Sequence, residues 1–208
     1  GSYVMENILF KISFPAEFHA QTAVEAGISL HKKYGDKLDK ISKIEVETQE
    51  PAVRIISKTG PLHNYADRDH CLQYMIAIAM IYGKVEAKHY QDEIASNQMI
   101  DSLREKMVIS ENPKFSSDYL DPTKRSIANS ITLVFDDGSK SEKITVEYPV
   151  GHRNRREEGI PLLIDKFKNA IKSYYPRNQS DDILNSFLDM ENLTNMSVNE
   201  MMDKLVIK

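Results

Sequence analysis

The chain has 208 residues, 41% hydrophobic and 28% charged, the composition of an ordinary globular protein long enough to bury a sizeable core. A formal net charge of −4 argues against general attraction to nucleic acid or to an acidic membrane surface, so an anion site must be a local basic cluster. Cys71 is the sole cysteine, which excludes a disulfide framework or thiolate metal cage built by this chain alone and fits a cytoplasmic location.

No basic start followed by a continuous apolar run marks a secretory signal. The longest apolar stretch, Tyr74 to Tyr82, falls far short of the ~20 residues a membrane-spanning helix needs. Opening on Gly1-Ser2 rather than Met, the chain reads as a piece of a longer protein.

Residues 16–34 place Phe18, Thr22, Ala26, Ile28 and Leu30 at broadly helical intervals behind Pro15, predicting a helix closed by Gly35. Ile44, Val46 and Thr48 then alternate with Lys43, Glu45 and Glu47, the period of a half-buried strand. "AVRIIS" after Pro51 predicts a second short strand. Asp67 or Asp69 is placed to cap the apolar run from Leu72 to Ile81, whose all-round apolarity marks a buried helix.

Two charged amphipathic helices follow, around Ala87 to Ile94 and Met99 to Met107. The Pro-, Ser- and Asp-rich "SENPKFSSDYLDPTKRS" reads as a loop. A hairpin is clear beyond it: Ile131, Leu133 and Phe135 alternate on one side of "DDGSK", and Ile144, Val146 and Tyr148 on the other. "IPLLIDKFKNAIKSYY" predicts a helix, and the tail from Ser180 carries two shorter helical patterns. Strands grouped with helices, without repeating βαβ units, point to an α+β fold: a two-layer antiparallel sheet with helices on one face, plus C-terminal helices. The α+β domain is expected over 16–175 and a helical tail over 176–208. The sequence holds no repeat, Gly-rich phosphate loop, zinc-ligand spacing or Ser-centred nucleophile elbow.

Three stretches concentrate reactive side chains near helix starts, and each has two readings. Lys11 sits among Phe10, Ile12 and Phe14, where an ammonium either meets an anion or snorkels to water. His19, in the first turn after Pro15, is a site residue or a surface or capping histidine. In "ADRDHCLQY", His70 and Tyr74 are four apart and share a face if the helix includes both. Arg68 there either grips a carboxylate with its two-pronged guanidinium or pairs with Asp67 on the surface, while Asp69 caps and Tyr74 packs. "GHRNRREEG", carrying His152, Arg153, Arg155 and Arg156 ahead of a helix, is an anion-binding turn or a solvated one.

Singly these stretches are unspecific; in order they are not. "FKISFPAEFHAQTAVEA", "KTGPLHNYADRDHCLQYMIAIAMIYG", "DPTKRSIANSITLVFDDG" and "VEYPVGHRNRREEGIPLLIDKFK" closely resemble the C-terminal half of enzymes of the MmgE/PrpD family, over essentially the whole chain. The resemblance implies a homodimer in which an N-terminal helical domain, absent here, completes the active site, with residues 1–15 linking the two domains. It also implies that water is eliminated from a tricarboxylate, 2-methylcitrate, to give 2-methyl-aconitate in propionate breakdown, with no metal, iron–sulfur cluster or other cofactor. Motif by motif it assigns catalysis to Lys11, His70 and Tyr74, and substrate binding to His19, Arg68 and Asp69. The "GHRNRREEG" turn varies between branches and stays outside the site.

That assignment is chemically coherent. Elimination builds charge on a carboxylate as the adjacent C–H proton leaves, so a cation such as Lys11 aimed at that carboxylate favours the transition state. An imidazole such as that of His70 exchanges protons near neutrality and suits the departing hydroxyl. Two other readings stay open on sequence alone: a non-catalytic α+β interaction module, and a related family enzyme such as a cis-aconitate decarboxylase.

Overall fold

In the computed structural model, which describes residues 12–207, the alternating stretch Ile41–Thr48 forms β1, the strand on which the sheet is built. Ile41 and Ile44 are both buried although three apart, because pairing with the next strand slips by one residue between Ile41 and Lys43. β2 (Met107–Glu111), β3 (Asn129–Phe135) and β4 (Ile144–Val146) complete a sheet of order β2-β1-β3-β4. β3 runs antiparallel to β1 and to β4, in the hairpin expected from the sequence, and Gly138 adopts the positive φ of 80° at its turn.

The α+β class holds, with one correction to the sheet. β2 is parallel to β1, Ile44 lying opposite Met107 and Thr48 opposite Glu111, so the sheet is mixed rather than wholly antiparallel. A parallel partner requires a long crossover, and the helices between Thr48 and Met107 supply it.

Two other expectations are overturned for local reasons. "AVRIIS" is not a strand but part of α2 (Glu50–Ile56), which starts with Pro51 in its first turn and buries Ala52 and Ile56, four residues apart. The segment read as a loop contains the end of β2, Ser110 and Glu111, and all of α7 (Pro113–Leu120). Asn112 caps α7 by accepting from the Lys114 backbone N–H, so Asn-Pro marks a helix start there rather than a break.

Ahead of β1, a 3₁₀ turn (Phe18–Ala20) leads into α1 (Gln21–Tyr34). The crossover continues from α2 through α3 (Tyr65–Asp69), α4 (Leu72–Tyr82), α5 (Asp92–Ala95) and α6 (Gln98–Glu105). Neither Asp67 nor Asp69 caps α4: its cap residue is Cys71, with no side-chain bond, and Asp67 instead is bound by the Asn64 cap of α3. α1 packs on β3 and β4 and also against α4, which in turn packs on α6. Every residue from Leu72 to Met80 is buried, as the apolar run demanded.

α1 and α4 lie side by side in the same direction. At their starts the Glu17 backbone N–H donates to Asp69 O at 3.2 Å, and at their ends His31 Nδ1 meets Met80 O at 2.8 Å. Between these points Gly27 allows the close crossing, for a Cβ there would lie 2.9 Å from Ala79 Cβ.

The chain divides into two compact units, the first ending at Arg155. The second is helical: α8 (Arg156–Tyr174), α9 (Arg177–Leu188), α10 (Met190–Asn195) and α11 (Val198–Leu205), one helix more than the tail pattern predicted. Ile171, Ile183 and Leu184 form its core with Phe167 and Phe187, and Ser197 with Glu200 closes a reciprocal cap on α11.

Replacing Gly27 by Leu should destabilise the protein by about 1–3 kcal/mol despite the better helix propensity of leucine, because the side chain has no room against α4. Chemical denaturation measures this, and an unchanged midpoint would contradict the close crossing.

Candidate functional site

Because α1 and α4 are parallel and start together, the polar residues before each helix meet at one end of the first unit. They border a cavity of about 400 Å³ whose wall includes Glu17, Phe18, Tyr65, Asp69 and His70. Two carboxylate–imidazole pairs stand there.

In the first pair, Asp69 Oδ1 lies 2.6 Å from His70 Nδ1, and the His70 side chain is 52% exposed. An ionised carboxylate only accepts, so Nδ1 carries the hydrogen and Nε2 is not engaged by Asp69, while His70 itself lines the cavity. His70 is the C-cap residue of α3, in a non-helical conformation two residues before α4 begins. It therefore does not share a helix face with Tyr74, which corrects the four-residue spacing argument.

In the second pair, Glu17 holds His19 twice, its Oε2 accepting from the His19 backbone N–H at 2.7 Å and its Oε1 lying 2.9 Å from Nδ1. The other ring nitrogen, Nε2, meets the Tyr119 hydroxyl of α7 at 3.3 Å. Burial acts to raise the Glu17 carboxyl, but the His19 hydrogen bonds and the charges of His19 and His70 carry it below the ordinary value. Asn129 of β3 anchors the segment from beneath, donating to His19 O at 2.9 Å. Glu17 and Tyr119 went unnoticed in the sequence; a carboxylate two residues before a histidine was the only local signal for the first.

The other site candidates go elsewhere. Tyr74 is buried in α4, and its hydroxyl donates to His89 O at 2.7 Å. Burial pushes its phenol up to about 12, against the opposing pull of the Arg68 and Arg104 cations, so it stays protonated at neutral pH. Arg68 turns inward rather than pairing with Asp67; its Nη1 reaches Tyr90 O and Asp92 Oδ1, each at 2.6 Å. Arg68 and Tyr74 line a second, larger cavity of about 820 Å³. Lys11 lies outside the described residues.

"GHRNRREEG" is structural in its first half. His152 is buried with Nε2 3.0 Å from Lys124 O, and Arg155 grips the Glu25 carboxylate through two nitrogens at 2.8 Å each. Among the described residues, no group of three or more His, Cys, Asp and Glu side chains is arranged to hold a metal ion, and no helix is long and apolar enough to cross a membrane.

Residues 14–191 match the model of the MmgE/PrpD C-terminal domain. The chain is 52% identical over 210 residues to 2-methylcitrate dehydratase of Escherichia coli K12, an alignment covering 100% of this chain and 44% of that protein. It is likewise 52% identical over 211 residues to the mitochondrial 2-methylcitrate dehydratase of Yarrowia lipolytica, covering 100% of this chain and 40% of the relative. A 2-methylcitrate dehydratase-like protein of Aspergillus oryzae is 36% identical over 212 residues, covering 99% of this chain and 42% of that one. The chain thus spans less than half the length of these relatives.

Tyr74→Phe removes the donor to the buried His89 carbonyl and should cost about 1–2 kcal/mol of stability, read by urea unfolding. An unchanged midpoint would show that this hydroxyl is not holding the 86–90 segment.

Proposed function

The chain belongs to the MmgE/PrpD family, and from that premise we propose that it is the C-terminal part of a 2-methylcitrate dehydratase, which eliminates water from 2-methylcitrate to give 2-methyl-aconitate. The high identity to proteins of that name supports the substrate. The observation that carries the chemistry is the Asp69–His70 pair, opening onto the smaller cavity beside the Glu17–His19 pair.

In this reading His70 in its doubly protonated form gives the Nε2 proton to the departing hydroxyl, which leaves as water. Asp69 keeps the ring oriented and stabilises the imidazolium before transfer. The C–H proton goes to a base on the part of the protein upstream of this chain. Lys11, in the segment leading to Glu17, is assigned to the substrate carboxylate that gathers charge as that proton leaves. His19 is clamped between Glu17 and Tyr119 and holds Glu17 at the wall of the site.

An upstream helical domain would close the cleft over these residues, in keeping with the 44% coverage of the Escherichia coli relative. Family membership supports a homodimer, and the lone cysteine suits a reducing compartment such as the cytoplasm. With one thiol, buried at Cys71, this chain offers no ligand set for an iron–sulfur cluster, and the proposal is acid–base elimination without one.

The test is steady-state kinetics on the full-length parent. His70→Ala and Lys11→Ala should lower kcat/KM by roughly 10²-fold or more, equal to about 2.7 kcal/mol, and His70→Ala should melt near the wild-type temperature because its ring is half exposed. A chelator should leave the wild-type rate intact. Wild-type kinetics in a folded His70→Ala variant would remove the pair from the chemistry, and loss of rate restored by iron would refute the cluster-free mechanism.

A further inference from the structure

The larger cavity, of about 820 Å³, carries two buried guanidinium groups on its wall: Arg68, with its side chain 8% exposed, and Arg104, at 10%. Each has one carboxylate partner, and both partners are poor ones. Asp92, 2.6 Å from Arg68 Nη1, is 89% exposed, and Asp101, 2.5 Å from Arg104 Nη1, is 62% exposed. A solvated carboxylate gains little from such a pair, whereas a buried cation needs full compensation, so both arginines are under-compensated.

The geometry of the free edges is specific. Both partners of Arg68, Tyr90 O and Asp92 Oδ1, sit on Nη1, and among the described residues its Nε and Nη2 have none. That is an edge of the fork able to take a carboxylate through two parallel hydrogen bonds. Arg104 uses Nη1 for Asp101 and Nη2 for Gly60 O at 2.8 Å, and among the described residues its buried Nε has no partner. Both arginines line this one cavity together with Tyr74. Leu62 and Met107 add apolar wall, Lys58 a third cation, and Glu105 a third acid.

We propose that this cavity binds a small polycarboxylate, whose carboxylates take the place of Asp92 and Asp101 on Arg68 and Arg104. The two aspartates act as removable covers: swinging into solvent costs them little, and the cavity then presents cations to the anion. The cavity has room for such a ligand, with apolar carbon against Leu62 and Met107. The choice of a polycarboxylate rests on the proposed function; the two arginines fix only that the ligand is an anion with planar, fork-matching groups.

Calorimetric titration of the full-length parent with tricarballylate tests this, since that tricarboxylate lacks the hydroxyl whose loss is the reaction and binding is read apart from turnover. Arg104→Gln should weaken binding by about tenfold or more, and Asp101→Asn, which removes a competing charge while keeping an acceptor, should tighten it by about twofold or more. Inorganic phosphate should bind at least about tenfold more weakly than tricarballylate. A tightening cannot come from misfolding, so the second variant keeps the test sharp if the first is unstable. No binding by the wild type, unchanged affinity in a folded Arg104→Gln variant, no tightening in Asp101→Asn, or phosphate binding as tightly as tricarballylate would each overturn the proposal. His70→Ala separates the two readings: normal turnover in that variant sinks the proposed function alone, and weaker tricarballylate binding in Arg104→Gln still stands for this cavity.

Discussion

The parallel packing of α1 on α4 is the constraint from which the rest of the first unit follows. α4 is apolar on all sides, and each large apolar side chain it buries is worth about 1.5–3 kcal/mol against exposure, so it must be enclosed. α1 encloses one side of it at the close approach of Gly27 to Ala79 and places its own opposite face on the sheet. With the helix ends tied by His31 to Met80, the helix starts are forced together as well. The polar residues ahead of the two starts then have one place to be. A buried helix thus fixes the position of the candidate site at its entrance, and the two carboxylate–imidazole pairs are held where α1 and α4 begin.

The three consecutive residues Arg68, Asp69 and His70 serve two different cavities, and the geometry of α3 explains how. Successive residues of a helix point about 100° apart, so Arg68 turns into the larger cavity while Asp69 faces the smaller. The chain then leaves helical geometry at His70 before re-entering it at Leu72. That break redirects His70 towards Asp69 and away from Tyr74, whose hydroxyl is spent on His89 O. A single run of sequence motif therefore divides into a carboxylate–imidazole pair on one cavity and an arginine on the other.

Much of this was legible in the sequence where the signal was local. Alternation found β1 and the hairpin, and the all-round apolar run found α4. Local ambiguity cost α2 and α7: six residues as short as "AVRIIS" fit either period, and Asn-Pro is both a loop signal and a helix start. The parallel placement of β2 was not legible, because pairing across the long interval between Thr48 and Met107 leaves no trace in either segment. Among the candidate residues, Asp69 and His70 lie together at the smaller cavity, and His19 joins them there only through Glu17. Tyr119 and Arg104 were not legible, since what defines them is a partner far along the chain: Tyr119 lies a hundred residues from His19, and Arg104 forty-four from Gly60. The apparent pairing of His70 with Tyr74 failed on two residues of non-helical backbone, a feature finer than periodicity resolves.

The central claim is that Asp69 and His70 act as one unit in proton transfer, and a double-mutant cycle on the full-length parent addresses it most directly. Steady-state kinetics on Asp69→Asn, His70→Ala and the combined variant give the coupling between the two side chains. The account predicts strong non-additivity: with His70 removed, Asp69→Asn should change kcat/KM by less than about twofold, although alone it lowers it by about tenfold or more. Fully additive effects, with Asp69→Asn as damaging in the absence of His70 as in its presence, would contradict the account.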